Sequence, residues 1–438
     1  MELSSVVRAP DDASARPPVP VSEIPLRRNL EYLAWLGGDV ASGIGSGIGA
    51  FALPLIAFAS TGSLVATGIV GLVQGIGLLF GLLPGGVLAD RVDRRRLRLL
   101  SGMLGALTHL ALALVLVTGH AGMVTLATVA GVDRFRAALF GSASDAMLKQ
   151  LVSSRQLPAA MAVNEGRDAA VELAAGPVGG ALLAWHLAAP ALAQTLSCLA
   201  NVVCTLLMRG DYRPRSAEAT STSWWTDLAE GVRWIMGQRV RVQIVLAAAL
   251  VNLGSNGALL AITLMLADAG VPTVRIGLLT TVFAAAVLAG SVAASWVVAR
   301  VPTGMLTVVQ LLVIAGVTAL LPLLSELWMI AVAYAVIGIG LAPLNAAIMG
   351  FFMHITPRDM LGRAGAMTGL LAMGMMPLAP ALAGWGLEHW GAVVTLVIFA
   401  GVCAAGALVF LGGGPARRIP VSGRWESFAQ ERGMTGLK

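Results

Sequence analysis

Ionisable residues stand inside several apolar stretches of this sequence, where a charge is costly and therefore indicates function. The candidates for proton coupling among them are Asp39, Asp133, Arg136 and Glu172. Burial raises the proton affinity of a carboxyl group, as proton coupling requires, whereas a paired arginine keeps the group ionised. Asp39 has no arginine on its own segment, so we expect it to be the leading proton-binding site. The alternative is that Asp39 lies in a hydrated half of its segment and only binds water.

The other two carboxylates have neighbours that change this expectation. Asp133 and Arg136 are three residues apart, so on a helix they share a face and can neutralise each other. Glu172 follows Asp168 by four residues and precedes the pair Gly176-Pro177 by one helical turn. We therefore treat Glu172 as a second candidate for proton coupling and the Asp133–Arg136 pair as a third.

Uncharged polar residues inside the apolar stretches form a second group of candidates. Such side chains suit a ligand with hydroxyl, amide or carbonyl groups, although bonding to a neighbouring helix is their commoner use in membranes. Methionines in the second half favour an adaptable apolar wall for bulky ligands, or simply a lipid-facing surface. The substrate-contact candidates are Gln74, Asn201, Asn252, Asn256, Gln310 and Asn345.

The composition predicts a membrane protein around these residues. Of the 438 residues, 57% are hydrophobic and 12% are charged, about half the charged fraction of a typical soluble protein. Apolar segments long enough to cross a bilayer recur along nearly the whole chain. Arginines in the loops between these segments explain the net charge of +6, so no nucleic-acid partner is expected. The three cysteines lie in apolar runs without metal-ligand spacing, so no metal site is expected.

The apolar pattern predicts an all-α membrane protein with twelve transmembrane helices in two six-helix bundles. The stretch 223–237 carries tryptophans and favours either an amphipathic helix on the membrane or a plain linker with interfacial anchors. The predicted spans are 30–59, 63–89, 97–119, 122–150, 159–185, 188–209, 240–267, 273–299, 303–325, 327–354, 361–386 and 391–413.

These spans divide the chain into five parts. A disordered tail (1–28) precedes the first bundle (29–209), and a linker (210–239) joins it to the second bundle (240–413), which a polar tail (414–438) follows. Arginine and lysine concentrate in the loops on one side of the predicted bundle, which places both tails and the linker in the cytoplasm. The predicted location is the inner or plasma membrane.

An internal repeat supports two equivalent halves. An offset of 209 places Gly68, Gly81 and Arg91 on Gly277, Gly290 and Arg300. An offset of 203 places Arg155, Gly166 and Pro177 on Arg358, Gly369 and Pro380. Parallel repeats of this kind build transporters whose substrate site lies between the halves, near the middle of the bilayer.

A dense charged run separates the second and third spans, and it carries a family resemblance. The pattern Gly86-x-x-x-Asp90-Arg91-x-Asp93-Arg94-Arg95 resembles the loop motif of the major facilitator superfamily, with Asp93 where the family usually has glycine. Gly176-Pro177-Val178-Gly179-Gly180 resembles the proton-antiporter motif of drug exporters. The segments 32–38, 61–63 and 160–164 look most like the enterobactin-exporter and macrolide-efflux branch. The resemblance covers residues 29–413.

The resemblance implies a gate at the charged run. In the family, the motif aspartate braces the loop against the start of the eleventh helix in the outward-facing state, a role that Asp90 would have with the helix near Leu361. We expect the neighbouring arginines to pair with Asp145, or alternatively only to fix the topology. The repeat places Ala299 opposite Asp90, so the predicted gates are unequal. The gating set is Gly86, Asp90, Arg91, Arg94, Arg95 and Asp145.

Glycine and proline in the fifth span predict a hinge. Proline removes a backbone donor and glycine removes side-chain bulk, so Gly176 and Pro177 loosen a helix that would slide on the other half. The alternative is an ordinary proline kink. Gly180 and the repeat-equivalent Pro380 complete the hinge set.

The expected protein is therefore a monomeric secondary transporter and not an enzyme. It lacks a phosphate-cradling loop, so we expect no cofactor, and a proton gradient as the energy source. The predicted partners are membrane lipid, protons and an amphiphilic small molecule that is exported. An uptake carrier of the same fold, or a membrane sensor or assembly factor that no longer transports, remains the alternative.

Overall fold

The computed structural model describes residues 24–210, 212–213, 224–357, 360–412 and 414–434, and every regular element in these ranges is helical. Short 3-10 turns at Leu26–Arg28, Leu321–Leu323, Pro415–Arg418 and Ser422–Arg424 accompany the α-helices. The helices are α1 (Leu30–Thr61), α2 (Leu64–Arg91), α3 (Arg94–Val117), α4 (Met123–Leu151), α5 (Leu157–Trp185), α6 (Ala189–Leu207), α7 (Trp224–Met236), α8 (Arg239–Asp268), α9 (Thr273–Arg300), α10 (Thr303–Leu320), α11 (Leu327–Ile355), α12 (Leu361–Met373), α13 (Leu378–Leu411) and α14 (Trp425–Glu431).

Polar caps fix where the first three helices begin. The Asn29 side chain accepts a hydrogen bond from the Tyr32 amide at 3.1 Å and starts α1. Ser63 does the same for α2, and Asp93 for α3 through the Arg95 amide at 2.9 Å. Each cap satisfies an N–H that lacks a partner at a helix start. Asp93, which departs from the family loop pattern, therefore serves as the cap of α3.

The two halves repeat the same helix pairings, as the sequence predicts. In the first half α2 packs on α4, and both α1 and α3 pack on α6; in the second half α9 packs on α11, and both α8 and α10 pack on α13. Gly81 and its repeat partner Gly290 occupy equivalent contacts, because a Cβ at either would meet the backbone of the paired helix, at Phe135 and Ile339 respectively.

Twelve membrane crossings follow from these helices. Nine stretches of the described chain are long and apolar enough to cross a bilayer, the last running from Ala364 to Leu411. That stretch contains two crossings, because Gly391 has φ 76° and ψ 174° and turns the chain inside α13. Helices α4 and α5 are long enough as well, but each carries several charges in its middle. The all-α, two-bundle prediction is thus confirmed.

The eleventh crossing differs from the prediction of one continuous span. Helix α12 ends at Met373, the turn 374–377 follows, and α13 begins at Leu378. Glycine at 374 and proline at 377 weaken the helix here, since glycine frees the backbone and proline lacks a donor. Pro380 lies just beyond this break, inside the first turn of α13.

The linker contains a helix, α7, which packs on α8 and α12. The Trp234 ring lies 5.4 Å from the Phe352 ring, and the Arg241 guanidinium lies 3.8 Å from the Trp234 ring centre. Earlier in the linker the Tyr212 hydroxyl donates to Glu31; burial and this hydrogen bond raise the pKa of Tyr212, so its phenol stays protonated. The linker is therefore tied to both bundles.

The segment after α13 is folded, which the prediction of a polar tail did not anticipate. Ala416, Ile419 and Ala429 are fully buried in the core of the second bundle. The Trp425 indole donates to the Thr303 hydroxyl at 3.1 Å, at the start of α10. Apolar side chains dispersed among polar ones, rather than a long hydrophobic run, attach this short segment to the bundle.

Two faces of the protein need names. The basic face holds the loops after α2, α4, α9 and α11, with Arg91–Arg96, Arg155 and Arg300; the distal face holds the loops after α1, α3, α5, α8 and α10. Hydrogen bonds between the bundles, among the described residues, fall in the distal half: Thr273 to Gly180, Thr281 to Leu173, and Ser63 and Val65 to Glu388. The protein is therefore closed at its distal face.

Candidate functional site

A polar cavity of about 310 Å³ lies within the first bundle. All six of its helices contribute side chains. Ionisable groups in the wall are Asp39, Arg98, His109, Asp133, Arg134, Arg136 and Arg167, accompanied by Ser42, Gln74, Ser101, Ser144, Gln194 and Asn201.

Asp39 lies at the centre of the first charge cluster in this cavity. One carboxylate oxygen, Oδ1, pairs with Arg98 of α3 and accepts a hydrogen bond from the Ser144 hydroxyl at 2.7 Å. The other, Oδ2, lies 3.1 Å from Nη1 of Arg167 on α5. Two arginines from other helices thus pair with the Asp39 carboxylate. The expectation that Asp39 leads as a proton site considered only its own helix, which has no arginine; the partners come from α3 and α5.

Arg98 is a structural centre of the bundle, although the sequence places it among the loop arginines. It begins the second turn of α3 and is only 4% exposed. Its Nη2 donates to the Trp35 carbonyl at 2.9 Å, and its Nε donates to the Thr205 hydroxyl at 3.1 Å. Gly38 provides the space, because a Cβ there would collide with the guanidinium. Each of the three guanidinium nitrogens therefore has a hydrogen-bond partner inside the bundle.

Asp133 forms the second cluster, with the partner that the sequence predicts and one that it does not. Its Oδ1 lies 2.6 Å from Nη2 of Arg136 and 3.2 Å from Nε2 of His109 on α3. Arg136 also donates to the Ser101 carbonyl at 2.9 Å and hydroxyl at 2.8 Å. The pair neutralises itself, as its spacing predicts, and it links α4 to α3.

Glu172 differs from both aspartates. Its side chain is exposed and has no hydrogen bond or ion pair with any described residue. It lies on α5 between the side that packs on α1 through Val171 and Ala175 and the side that packs on α9 through Leu173 and Gly176. Of the three carboxylate candidates it is the one that the fold leaves able to change its protonation without breaking an ion pair.

The uncharged candidates divide into two groups. Gln74 and Asn201 line the cavity, and Asn201 donates to the Ser42 hydroxyl. In the second bundle, Asn252, Asn256 and Gln310 donate to the backbone carbonyls of Ala372, Asn252 and Ile337 at 3.1, 2.8 and 2.9 Å, which joins or stiffens helices. Asn345 is exposed on α11.

The gating set is only partly described. Arg95 donates to the Thr205 and Leu206 carbonyls, both at 3.2 Å, and so binds the end of α6. Arg94 donates to the Ala89 carbonyl at 3.3 Å. Arg91 is exposed, and a Cβ at Gly86 would meet nothing within 4 Å. The side chains of Asp90, Asp145 and Leu361 lie outside the described residues, so their pairing stays a prediction.

The predicted hinge residues lie where the two bundles touch. Gly176 packs on Gly277, and a Cβ at Gly180 would lie 2.5 Å from the Thr273 carbonyl oxygen. A Cβ at Gly68 would lie 2.5 Å from the Pro380 carbonyl oxygen. The repeat-equivalent residues therefore make equivalent contacts, Gly277 on the Gly176–Pro177 backbone and Gly68 on Pro380.

Sequence reasoning missed three residues of the charge clusters: Arg98, Ser144 and His109. The available signal was Gly37-Gly38 before Asp39, because paired glycines beside a charge leave room for a large side chain from another helix. Arg167 was visible within its span, but nothing local indicated that it crosses to α1.

Comparisons with known proteins agree with this architecture. The model of the Major Facilitator Superfamily matches residues 36–251 and 244–434. No curated protein matches the chain. A mutant of the nucleoside transporter NupG is similar in structure, with a TM-score of 0.72 and 13% identity over 88% of this chain and 99% of that one.

Two further solved structures have the same fold. A bacterial homologue of the iron transporter ferroportin, in an inward-facing state, has a TM-score of 0.67 and 18% identity over 87% of this chain and 98% of its own. A bacterial homologue of the human lysosomal transporter Spinster, inward-facing and unoccupied, has a TM-score of 0.65 and 14% identity over 95% and 100% of the two chains. With the family match across both halves, this chain belongs to the Major Facilitator Superfamily and is a multi-pass secondary transporter rather than an enzyme.

Proposed function

We propose that this transporter exports an amphiphilic small molecule in exchange for protons, by alternating access across the cell membrane. Both tails and the linker are cytoplasmic in this proposal, since arginine-rich loops remain on the cytoplasmic side. The proton gradient supplies the energy, and no cofactor takes part.

The observation that carries the proposal is the one-sided contact between the bundles. Their hydrogen bonds and their glycine–proline contacts fall in the distal half, through α2 with α13 and α5 with α9. With the basic face in the cytoplasm, the structure is an inward-open state. A rocking motion of one bundle against the other would exchange this contact for one at the basic face, where Asp90 and α12 begin the opposite closure.

Proton coupling is assigned to Glu172. Asp39 and Asp133 each lie within 3.2 Å of a partner on another helix, so neutralising either carboxylate would break a contact between helices. Glu172 lacks such a partner among the described residues and lies beside the contact between α5 and α9. Loss of its charge would remove the cost of burying a carboxylate when the bundles rock.

The difference in charge between the two bundles supports an amphiphilic substrate. The first bundle supplies the charged cavity, whereas the described charges of α8–α11 lie near helix ends, at Arg239, Arg241, Asp268, Arg275 and Arg300. A molecule with one polar and one apolar end matches this asymmetry.

The test is proton movement in everted membrane vesicles from cells lacking other pumps. Respiration acidifies the vesicles, a pH-sensitive dye reports the gradient, and a panel of drugs and siderophores is added. An exported substrate should collapse part of the gradient in vesicles with this protein, and an uncoupler should abolish the difference.

Other outcomes select the alternatives. Movement of protons and substrate in the same direction would identify an uptake carrier. A compound that binds the purified protein but moves neither protons nor itself would favour a sensor or assembly factor. No substrate-dependent proton movement with any compound in the panel would refute the proposed exchange.

A further inference from the structure

The cavity of the first bundle contains more positive than negative charge. Four arginines and two aspartates stand in its wall. Asp39 is shared by Arg98 and Arg167, and Asp133 is bound by Arg136. Both carboxylates are therefore occupied by arginines other than Arg134. Asp168 also pairs with Arg167, at 2.9 Å, but its side chain is 62% exposed and lies outside the cavity wall.

Arg134 is the arginine of the cavity wall that takes part in none of these ion pairs. It is half-buried near the middle of α4, and it has no ion pair or hydrogen bond with any described residue. An arginine at such a depth normally faces a partner or a water-filled cavity, because an unpaired charge in the membrane is costly. Here its surroundings are the cavity and its polar wall.

Helix geometry separates Arg134 from the neighbouring charge cluster. Asp133 points towards α3, where it meets His109, while residue 134 is rotated about 100° further around the helix. Ala130, Ala137 and Gly141 share the face of Arg134, and all three line the cavity. The guanidinium thus projects from a wall of small residues, with space in front of it.

We propose that the transported molecule carries an oxyanion group, a carboxylate or a phosphate-type group, that binds Arg134. The planar guanidinium offers paired donors that match the two oxygens of such a group. The Gln74 amide lines the same cavity and is a further hydrogen-bond donor in its wall. This inference rests on the proposed transport function and makes the substrate an amphiphilic organic anion.

The apolar part of the same molecule would lie against the second bundle. No charged side chain stands in the middle of α8–α11 within the described residues, and their charges are confined to helix ends. An apolar cation would meet the unbalanced arginine directly and would be disfavoured by like charge. The arrangement therefore selects anions over cations of equal size.

The experiment compares matched probes on the purified full-length protein in lipid nanodiscs. The probes are 2-naphthoate, its neutral amide, the corresponding naphthylmethylammonium ion, and inorganic phosphate alone. Binding is measured by calorimetry and by the rise in melting temperature. We expect naphthoate to bind about tenfold more tightly than the amide, as for one hydrogen-bonded charge pair, and the ammonium ion to bind most weakly.

Variants locate the site. Arg134→Gln should abolish the preference for naphthoate over the amide, and Arg134→Lys should retain part of it. Arg155→Gln removes an exposed arginine at the basic face and should leave the preference unchanged. Binding of phosphate alone, with the same sensitivity to Arg134→Gln, would show that the oxyanion suffices without the apolar part.

Two results would overturn the inference: a wild-type protein that shows no preference for naphthoate over the amide, or a preference that survives Arg134→Gln. Neither result bears on proton exchange, which the vesicle assay measures separately. Conversely, anion binding at Arg134 without proton movement would support the oxyanion site and refute only the proposed exchange with protons, so the two failures are distinguishable.

Discussion

The Glu388 carboxylate accepts a hydrogen bond from the Val65 amide at 2.9 Å, and this contact joins the two bundles at the distal face. The same oxygen accepts a second bond, also of 2.9 Å, from the hydroxyl of Ser63, the cap of α2. A carboxylate at a helix start is favoured by the helix dipole. The brace predicted for Asp90 is the reciprocal contact. At the distal face a carboxylate of the second bundle meets the start of α2, and at the basic face a carboxylate at the end of α2 would meet the start of α12.

Glu388→Ala should weaken the closed distal face. The substitution removes two hydrogen bonds and a helix-dipole interaction at an exposed site, together worth about 0.5–1 kcal/mol. The population of the state that is closed at the basic face should therefore rise about two- to fivefold. The measurement is the distance between spin labels at Ser154 and Arg424, which are exposed at the basic face of the first and second bundles. The three native cysteines are replaced first.

The control for this variant is Glu326→Ala. Glu326 is exposed on the same face and stands before α11, but its side chain makes no cap. It should leave the label distances as in the parent. Equal effects of both variants would mean that surface charge, rather than the contact with α2, sets the balance.

Gly277→Val should have a larger effect in the same direction. A Cβ at Gly277 would lie 2.5 Å from the Gly176 carbonyl carbon and 3.0 Å from the Pro177 nitrogen, so the backbones must separate. Overpacking of this kind typically costs about 1–3 kcal/mol, which would make the basic-face-closed state the major one. Gly316→Val is the control, because a Cβ there meets nothing within 4 Å. An unchanged distance distribution in Gly277→Val would show that the bundles do not need this contact.

Asp90→Asn should act only on the state that the structure does not show. The bundles are joined here at the distal face, so the variant alone should leave the label distances unchanged. In the Gly277→Val background, where the basic face is closed, it should shift the balance back towards the open form. If the combined variant equals Gly277→Val, the charged run fixes topology and has no role as a brace.

The sequence predicted the architecture well because its signals are local. Apolar runs bounded by arginine loops placed the crossings, and the glycine and proline offsets placed the halves in equivalent positions. The contact of Gly68 with Pro380 and that of Gly277 with Pro177 show that the repeat extends to the contacts between the two bundles. The break before Leu378 was missed, because Gly374 and Pro377 lie within an apolar run whose hydropathy is that of one continuous span.

The partners of the charges were not predictable in the same way. Arg98 follows a run of loop arginines, and its burial depends on Gly38 and Thr205, which are distant in sequence. Glu388 was visible only as a loop charge. Ion pairs between helices depend on rotation and depth, which neither hydropathy nor residue spacing determines.

Asp39→Asn should destabilise the protein. It leaves Arg98 buried and Arg167 half-buried without their shared carboxylate, and breaking a buried pair typically costs about 3–5 kcal/mol. The measurement is the melting temperature in detergent, and Arg167→Gln in the same protein should recover part of the loss. A variant that melts as the wild type does but loses proton movement would instead restore Asp39 as the proton site.

Glu172→Gln should separate binding from proton movement. The neutral amide resembles the protonated acid, so the variant should bind a transported compound about as tightly as the wild type while substrate-driven proton movement in vesicles falls at least tenfold. Glu165→Gln is the matched control on α5, exposed and nearer to the basic face, and it should retain proton movement. Because Glu172 has no described partner, its loss should change the melting temperature little, unlike Asp39→Asn. Full proton movement in Glu172→Gln would exclude this residue and direct attention back to the paired aspartates.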